Sequence, residues 1–156
     1  MRPNILLTRI DNRLVHGQVG ITWTSSLGAN LIVVVDDEAA TQVVQQQLMT
    51  MTAGNTGVGI RFFTVDKTIR IISKASPAQK IFIVCKTPSV VKSLVDGGVA
   101  IKDVNVGNMH FSEGKRALTK KVYVNDQDIV DLKYIESKGI NVYIQDTPGD
   151  PKHNIE

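Results

Sequence analysis

The sequence predicts an α/β fold, an open, mostly parallel sheet of about seven strands with helices on both faces. Three observations lead to it. Short apolar runs alternate with helical patterns along the chain. Leu31 to Val35 (LIVVV) is nearly all β-branched and has no polar alternation, which marks a strand buried on both faces, as in a parallel sheet. The length of 156 residues suits a single domain, 1–156, with a full hydrophobic core.

The elements follow in order. Asn4 to Thr8 (NILLT) is the first strand. Val19, Trp23 and Leu27 share one face of a first helix, and Leu31 to Val35 is the second strand. Ala40, Val43, Val44, Leu48 and Met51 recur at the spacing of an amphipathic helix. Ile60 to Val65 and Ile81 to Cys85 are further strands, and Ser89 to Val95 is a helix. Asp103 to Val106, Lys121 to Val124 and Asn141 to Ile144 complete the strands, one of these late ones being open to an antiparallel direction. The helix Asp126 to Ser137 has an N-cap in Asn125-Asp126 and a stop in Gly139. The tail from Thr147 to Glu156 contains two prolines and is expected to be loosely held.

Composition removes several function classes. Hydrophobic residues at 42% and charged residues at 21% suit a globular rather than a disordered chain. A single cysteine, Cys85, excludes an internal disulfide framework and a cysteine-rich zinc site. No apolar run approaches the roughly 18 residues of a membrane span. Met1-Arg2-Pro3-Asn4-Ile5 lacks the apolar region of a signal peptide, so a cytoplasmic location is expected. The net charge of +3 comes from basic residues scattered singly, and aromatics are 5%, so no nucleic-acid partner is expected.

In such sheets ligands bind beyond the carboxyl ends of the strands. The first of those loops is chemically dense: Arg9-Ile10-Asp11-Asn12-Arg13-Leu14-Val15-His16-Gly17-Gln18-Val19. It leads into a helix whose N-terminus presents free N–H groups and a positive dipole end. Arginine forks and helix N-termini both hold phosphate well, and a neutral histidine offers a nucleophilic ring nitrogen. His16 is therefore the candidate for covalent phosphoryl transfer. Arg13, Arg9, Asp11, Gly17 and Gln18 form the candidate phosphate-binding set. Taken singly, each has a plainer role: a structural histidine, a surface ion pair, a helix-start glycine. Their coincidence on one strand edge is what carries the reading.

The string RIDNRLVHGQV resembles the active loop of enzyme IIB components of the mannose/fructose/sorbose-type sugar phosphotransferase system. LIVVVDDEAA, KTPSVV, GGVAIKDVNVGNMH and the strand after Gly139 resemble further landmarks of that family, in the same order, so the likeness covers nearly the whole chain. The resemblance implies that His16 accepts a phosphoryl group on its δ1 nitrogen from a histidine of a IIA partner. It then passes the group to a sugar held by membrane components IIC and IID, which would recruit the chain to the inner face of the membrane. Arg13 would steady the phosphoryl oxygens, with Arg9 and Asp11 at the flanking charged positions. No cofactor and no metal are implied, since arginines and amides supply the positive charge. VCKTPS and NVGNMH look most like the N-acetylgalactosamine- or galactosamine-specific type, with mannose, fructose and sorbose left open. A homodimer is also left open.

Other candidates lie on the same edge. Gly107, Asn108 and His110 could line a phosphate pocket, or simply form a tight turn. Lys86 and Thr87 could contact phosphate or an acidic partner. Asp36-Asp37-Glu38 reads as a helix-start charge group rather than a metal cluster. Cys85 ends an apolar strand without a phosphate cradle and reads as core. Gly54-Asn55-Thr56-Gly57-Val58-Gly59 has the wrong order for a dinucleotide fingerprint. The alternative function is a regulatory α/β module that binds phosphate or a nucleotide reversibly, without covalent phosphorylation; it lacks the usual glycine fingerprint.

Overall fold

A strand that is apolar on both faces must be covered on both, and Leu31–Val35 sits inside such a sandwich. The computed structural model describes residues 3–54 and 57–155. Met1 and Arg2 of the N-terminal segment, Asn55 and Thr56 of the glycine-rich stretch and Glu156 lie outside the described residues.

Six strands form one parallel sheet: β1 (Asn4–Asp11), β2 (Leu31–Val35), β3 (Gly59–Phe63), β4 (Lys80–Cys85), β5 (Asp103–Asn108) and β8 (Asn141–Ile144). Their spatial order is β3-β2-β4-β1-β5-β8. The helices are α1 (Gly17–Leu27), α2 (Val43–Ala53), α3 (Val65–Ile71), α4 (Pro88–Asp96) and α5 (Asp126–Ser137). Alternate strand residues divide the core. Leu7, Ile32, Val34, Phe82 and Val84 pack with Trp23 of α1 and Met49 of α2. Val33, Val35, Ile81, Ile83 and Cys85 pack with Ile69 of α3, Leu94 of α4 and Leu132 of α5. The Cys85 thiol is fully enclosed, and burial pushes its pKa well up, so it stays protonated.

β1 lies between β4 and β5. The chain leaves it toward β2 and β3, returns at β4, then crosses to β5 and β8 on the other side. The carboxyl end of β1 is therefore a topological switch point, where the two halves of the chain diverge and leave a crevice.

Several expectations are corrected. The sheet has six strands rather than about seven, because Val122–Val124 (β7) pairs antiparallel with Arg116–Thr119 (β6) in a separate hairpin. That hairpin hangs from the end of β5, where Met109 N–H donates to the Lys121 carbonyl and Tyr123 N–H to that of Met109. β1 continues to Asp11, so Arg9 and Asp11 belong to the strand and not to the loop. Val65, read as the end of a strand, begins α3; the Thr64 hydroxyl accepts from Lys67 N–H and caps it. The apolar stripe of α2 faces out: Val43, Val44, Leu48 and Met51 are exposed, whereas Met49 and Ala53 face the core.

The tail is anchored where it was expected to be loose. Ile144 and His153 exchange two backbone hydrogen bonds at 2.7 and 2.9 Å. The Gln145 amide donates to the carbonyls of Pro148 and Asp150, and Ile155 is 3% exposed within the core. Truncating that side chain removes buried apolar area, so Ile155→Ala is expected to lower unfolding stability by about 2 kcal/mol. Urea denaturation checks this; an unchanged midpoint would mean that the tail contributes nothing.

Candidate active site

Residues that alternate along a strand share a face. Arg9 and Asp11 therefore point the same way from β1, toward α1. Arg9 is directly opposite Asn105 of β5, which is in turn opposite Tyr143 of β8. The register between β1 and β5 shifts at Asp11, which pairs with Asn108 instead of Gly107. Asn12 N–H then donates to the Asn108 carbonyl at 3.0 Å, and this bond ends the strand.

The chain next turns sharply. Leu14 N–H donates to the Asp11 carbonyl at 2.9 Å, and Leu14 itself has φ of +60°. A leucine in the left-handed region is strained, and burial of Leu14 and Val15 in the α1–α2 core offsets that strain. Gly17 follows with φ of +51°, a conformation that a side chain would oppose. These two positive φ values bring His16 back over the end of β1 as the N-cap of α1.

Asp11 is the centre of the site, and its side chain is 0% exposed. Its Oδ2 accepts from His16 Nε2 at 2.9 Å and from Arg9 Nη2 at 3.2 Å. Its Oδ1 accepts from Arg13 N–H at 2.9 Å. A carboxylate only accepts, so the proton of the neutral ring sits on Nε2 and the lone pair on Nδ1. His16 has no side-chain cap bond to its own helix, so the imidazole is committed to Asp11.

Arg9 is not where a phosphate-binding residue would be. It is 2% exposed, and Nη1 donates to Asn105 Oδ1 at 2.6 Å, to the Asp146 carbonyl at 2.9 Å and to the Gln145 carbonyl at 3.2 Å. Its guanidinium lies 5.4 Å from the centroid of the Trp23 ring. Burial pulls its pKa below the ordinary arginine value, and the Asp11 carboxylate works against that pull.

The remaining candidates divide. Arg13, Gly17 and Gln18 are exposed around His16, Gly17 and Gln18 opening α1. Lys86 joins Asn12, Arg13, Leu14, Leu48 and Met49 around a hollow of about 290 Å³, with its amine 3.7 Å from Asp36. Thr87 caps α4, its hydroxyl accepting from Val90 N–H. Asn108 braces the loop through its backbone, and Gly107 is packed under Arg9. His110 is exposed past the end of β5. Asp36 Oδ2 accepts from Ala39 N–H at the start of a short 3-10 turn, Ala39–Thr41, in keeping with a helix-start charge.

Sequence reasoning missed Asn105, Gln145, Asp146 and the role of Trp23, whose Nε1 donates to the Asp146 carbonyl at 2.9 Å. One signal was available: Asn105 is an amide flanked by two valines, Val104 and Val106, within a strand. Removing the charge of Asp11 leaves Arg9 buried without its carboxylate. Asp11→Asn is therefore expected to cost about 3 kcal/mol of unfolding free energy. A urea midpoint close to that of the parent chain would contradict this.

The chain is 65% identical over 153 residues to the N-acetylgalactosamine-specific phosphotransferase enzyme IIB component 1 of Escherichia coli strain K12, covering 98% of this chain and 97% of that protein. It is 38% identical to the mannose-specific EIIAB component of the same strain, covering 97% of this chain and 48% of that longer protein. The crystal structure of the Escherichia coli N-acetylgalactosamine-specific IIB component 1 superposes with a TM-score of 0.96 at 64% identity, over 98% of this chain and all of that one. The sorbose permease IIB domain of Klebsiella pneumoniae superposes with a TM-score of 0.89 at 29% identity, over 99% and 94%. Residues 5–156 match the family described as "PTS system sorbose subfamily IIB component", and the chain belongs to that family of the sugar phosphotransferase system.

Proposed function

We propose that this chain is a phosphohistidine carrier that takes a phosphoryl group from a IIA partner onto His16 and delivers it to a sugar bound by membrane IIC and IID components. The observation that carries the reading is the contact between Asp11 and Nε2 of His16, which leaves Nδ1 as the free nucleophile at the start of α1. The Nδ1 lone pair attacks phosphorus, a new N–P bond forms, and the N–P bond to the donor histidine breaks with its electrons returning to the donor ring. The phosphorylated ring of His16 is positive, and the Asp11 carboxylate 2.9 Å from Nε2 stabilises that charge. Arg13 and the amides of Gly17 and Gln18 supply donors to the equatorial oxygens. In the second step a sugar hydroxyl attacks, the Nδ1–P bond breaks and the hydroxyl proton is released. The identity to a relative named for N-acetylgalactosamine supports that sugar or galactosamine as the final acceptor.

The exposed stripe of α2 supports a protein partner. Leu48 shares the hollow with Arg13 and Lys86, and Val44 and Met51 continue the apolar surface along the helix. A phosphorylated IIA surface would cover this stripe while its phosphoryl group meets the two basic side chains.

The test is phosphoryl uptake from phosphoenolpyruvate, the general phosphotransferase proteins and a IIA domain. The expected label is acid-labile, base-stable and absent in His16→Ala. Persistent label in that variant would overturn the assignment. No label with two IIA types, together with reversible phosphate binding, would favour the regulatory module. Leu48→Glu is expected to raise the IIA concentration for half-maximal uptake about tenfold, with the fold unchanged. An unaltered dependence on IIA would remove the α2 stripe from the interface.

A further inference from the structure

We infer that Arg9 is a positioning residue, seated in a slot that Gly107, Asn105 and the Gln145–Asp146 backbone build, and that it sets the tautomer of His16 by fixing Asp11. The inference rests on the reading of His16 as the phosphoryl acceptor.

The slot is specific to a guanidinium. A Cβ at residue 107 would lie 2.0 Å from Arg9 Cζ and 2.2 Å from both Nη atoms, so only glycine leaves room for the fork to cross β5. Asn105, fully buried, turns its Oδ1 to Nη1 and donates from Nδ2 to the Gln145 carbonyl at 2.9 Å, which fixes the orientation of the amide. The carbonyls of Gln145 and Asp146 close the far side, and Trp23 covers the guanidinium face. Nη1 is saturated by three acceptors. Nη2 faces Asp11 and, at 3.8 Å, the Asp146 carboxylate, and Nε is buried without a hydrogen-bond partner among the described residues. Both Nη atoms are turned to acceptors of the protein and Nε is enclosed, so the guanidinium is not presented to a phosphoryl oxygen at the surface.

The consequence reaches His16 through one oxygen atom. Asp11 Oδ2 is shared between Arg9 Nη2 and His16 Nε2. With the fork seated, Oδ2 is held toward the ring, the positive guanidinium balances the buried carboxylate, and Nε2 must be the donor. With the fork displaced, the carboxylate is held only by Arg13 N–H at Oδ1, and Oδ2 loses the partner that keeps it toward the ring. The ring then samples the tautomer with hydrogen on Nδ1, which has no lone pair there for phosphorus. Arg13 remains the residue that meets the phosphate, and Arg9 acts one layer below it.

Two variants of the full chain test this. Gly107→Ala fills the slot, and Arg9→Lys keeps the charge but cannot span Asp11, Asn105 and the two carbonyls together. The readouts are the ring-nitrogen NMR signals of His16 in the unphosphorylated protein, assigned with His16→Ala, and single-turnover phosphoryl uptake from a phosphorylated IIA domain. The parent chain is expected to show the Nε2–H tautomer. Both variants are expected to mix the two tautomers and to take up phosphate roughly 10- to 100-fold more slowly, at an unchanged half-saturating IIA concentration. If Gly107→Ala does not fold, Arg9→Lys decides alone. A parent chain without the Nε2–H tautomer, or folded variants that keep it together with the parent rate, would overturn the inference. A slower rate with the tautomer intact would also overturn it, since that is the signature of a lost phosphate ligand. A shift of tautomer in the variants with no phosphorylation of the parent would refute the carrier function and leave the positioning chain standing.

Discussion

A carboxylate with no exposed surface needs partners, and among the described residues the Arg9 guanidinium and the His16 ring both meet Asp11 Oδ2. That requirement organises this end of the molecule. It holds Arg9 against β5, β8 and α1 instead of in solvent, and it draws His16 back over the end of β1. Breaking a buried pair costs far more than a surface pair contributes, on the order of 3–5 kcal/mol against less than about 1. Arg9 of β1 and Arg13 of the loop therefore differ in burial. Arg9 is enclosed among protein acceptors, and Arg13 is exposed.

The sheet makes this arrangement possible. β1 has neighbours on both sides, so its residues are held by β4 and β5 until the register shift at Asp11. The switch in chain direction there leaves a crevice into which the turn at Leu14 and the start of α1 fit. The same crevice is closed from the side by the end of β8 and the segment after it, through Gln145 and Asp146. The anchored tail thus supports the seat of Arg9, which is why its pairing with Ile144 matters beyond the last strand.

The α2 stripe shows where periodicity misleads. Val44, Leu48 and Met51 have the spacing of a core-facing helix, yet the helix is rotated so that Met49 and Ala53 pack inward and the stripe faces solvent. Helical spacing reports that one face is apolar, and it does not say what covers that face. In a carrier that must hand its cargo between proteins, a covered core and a docking surface have the same sequence signature.

The sequence by itself determined the class of fold, most of the strands and the loop in which charged and titratable side chains gather. β-branched runs and capping residues act locally, and the density of Arg, Asp and His between residues 9 and 16 is visible without coordinates. It also marked Cys85 as core. Only the tertiary structure decided which arginine is buried and which exposed, that Val122–Val124 leaves the main sheet, that the tail is held, and that Asn105, Gly107, Gln145 and Asp146 surround Arg9. The physical reason is separation along the chain. Arg9 meets partners 96 and 137 residues away, and no local propensity encodes a hydrogen bond whose two halves come together only when the sheet is complete.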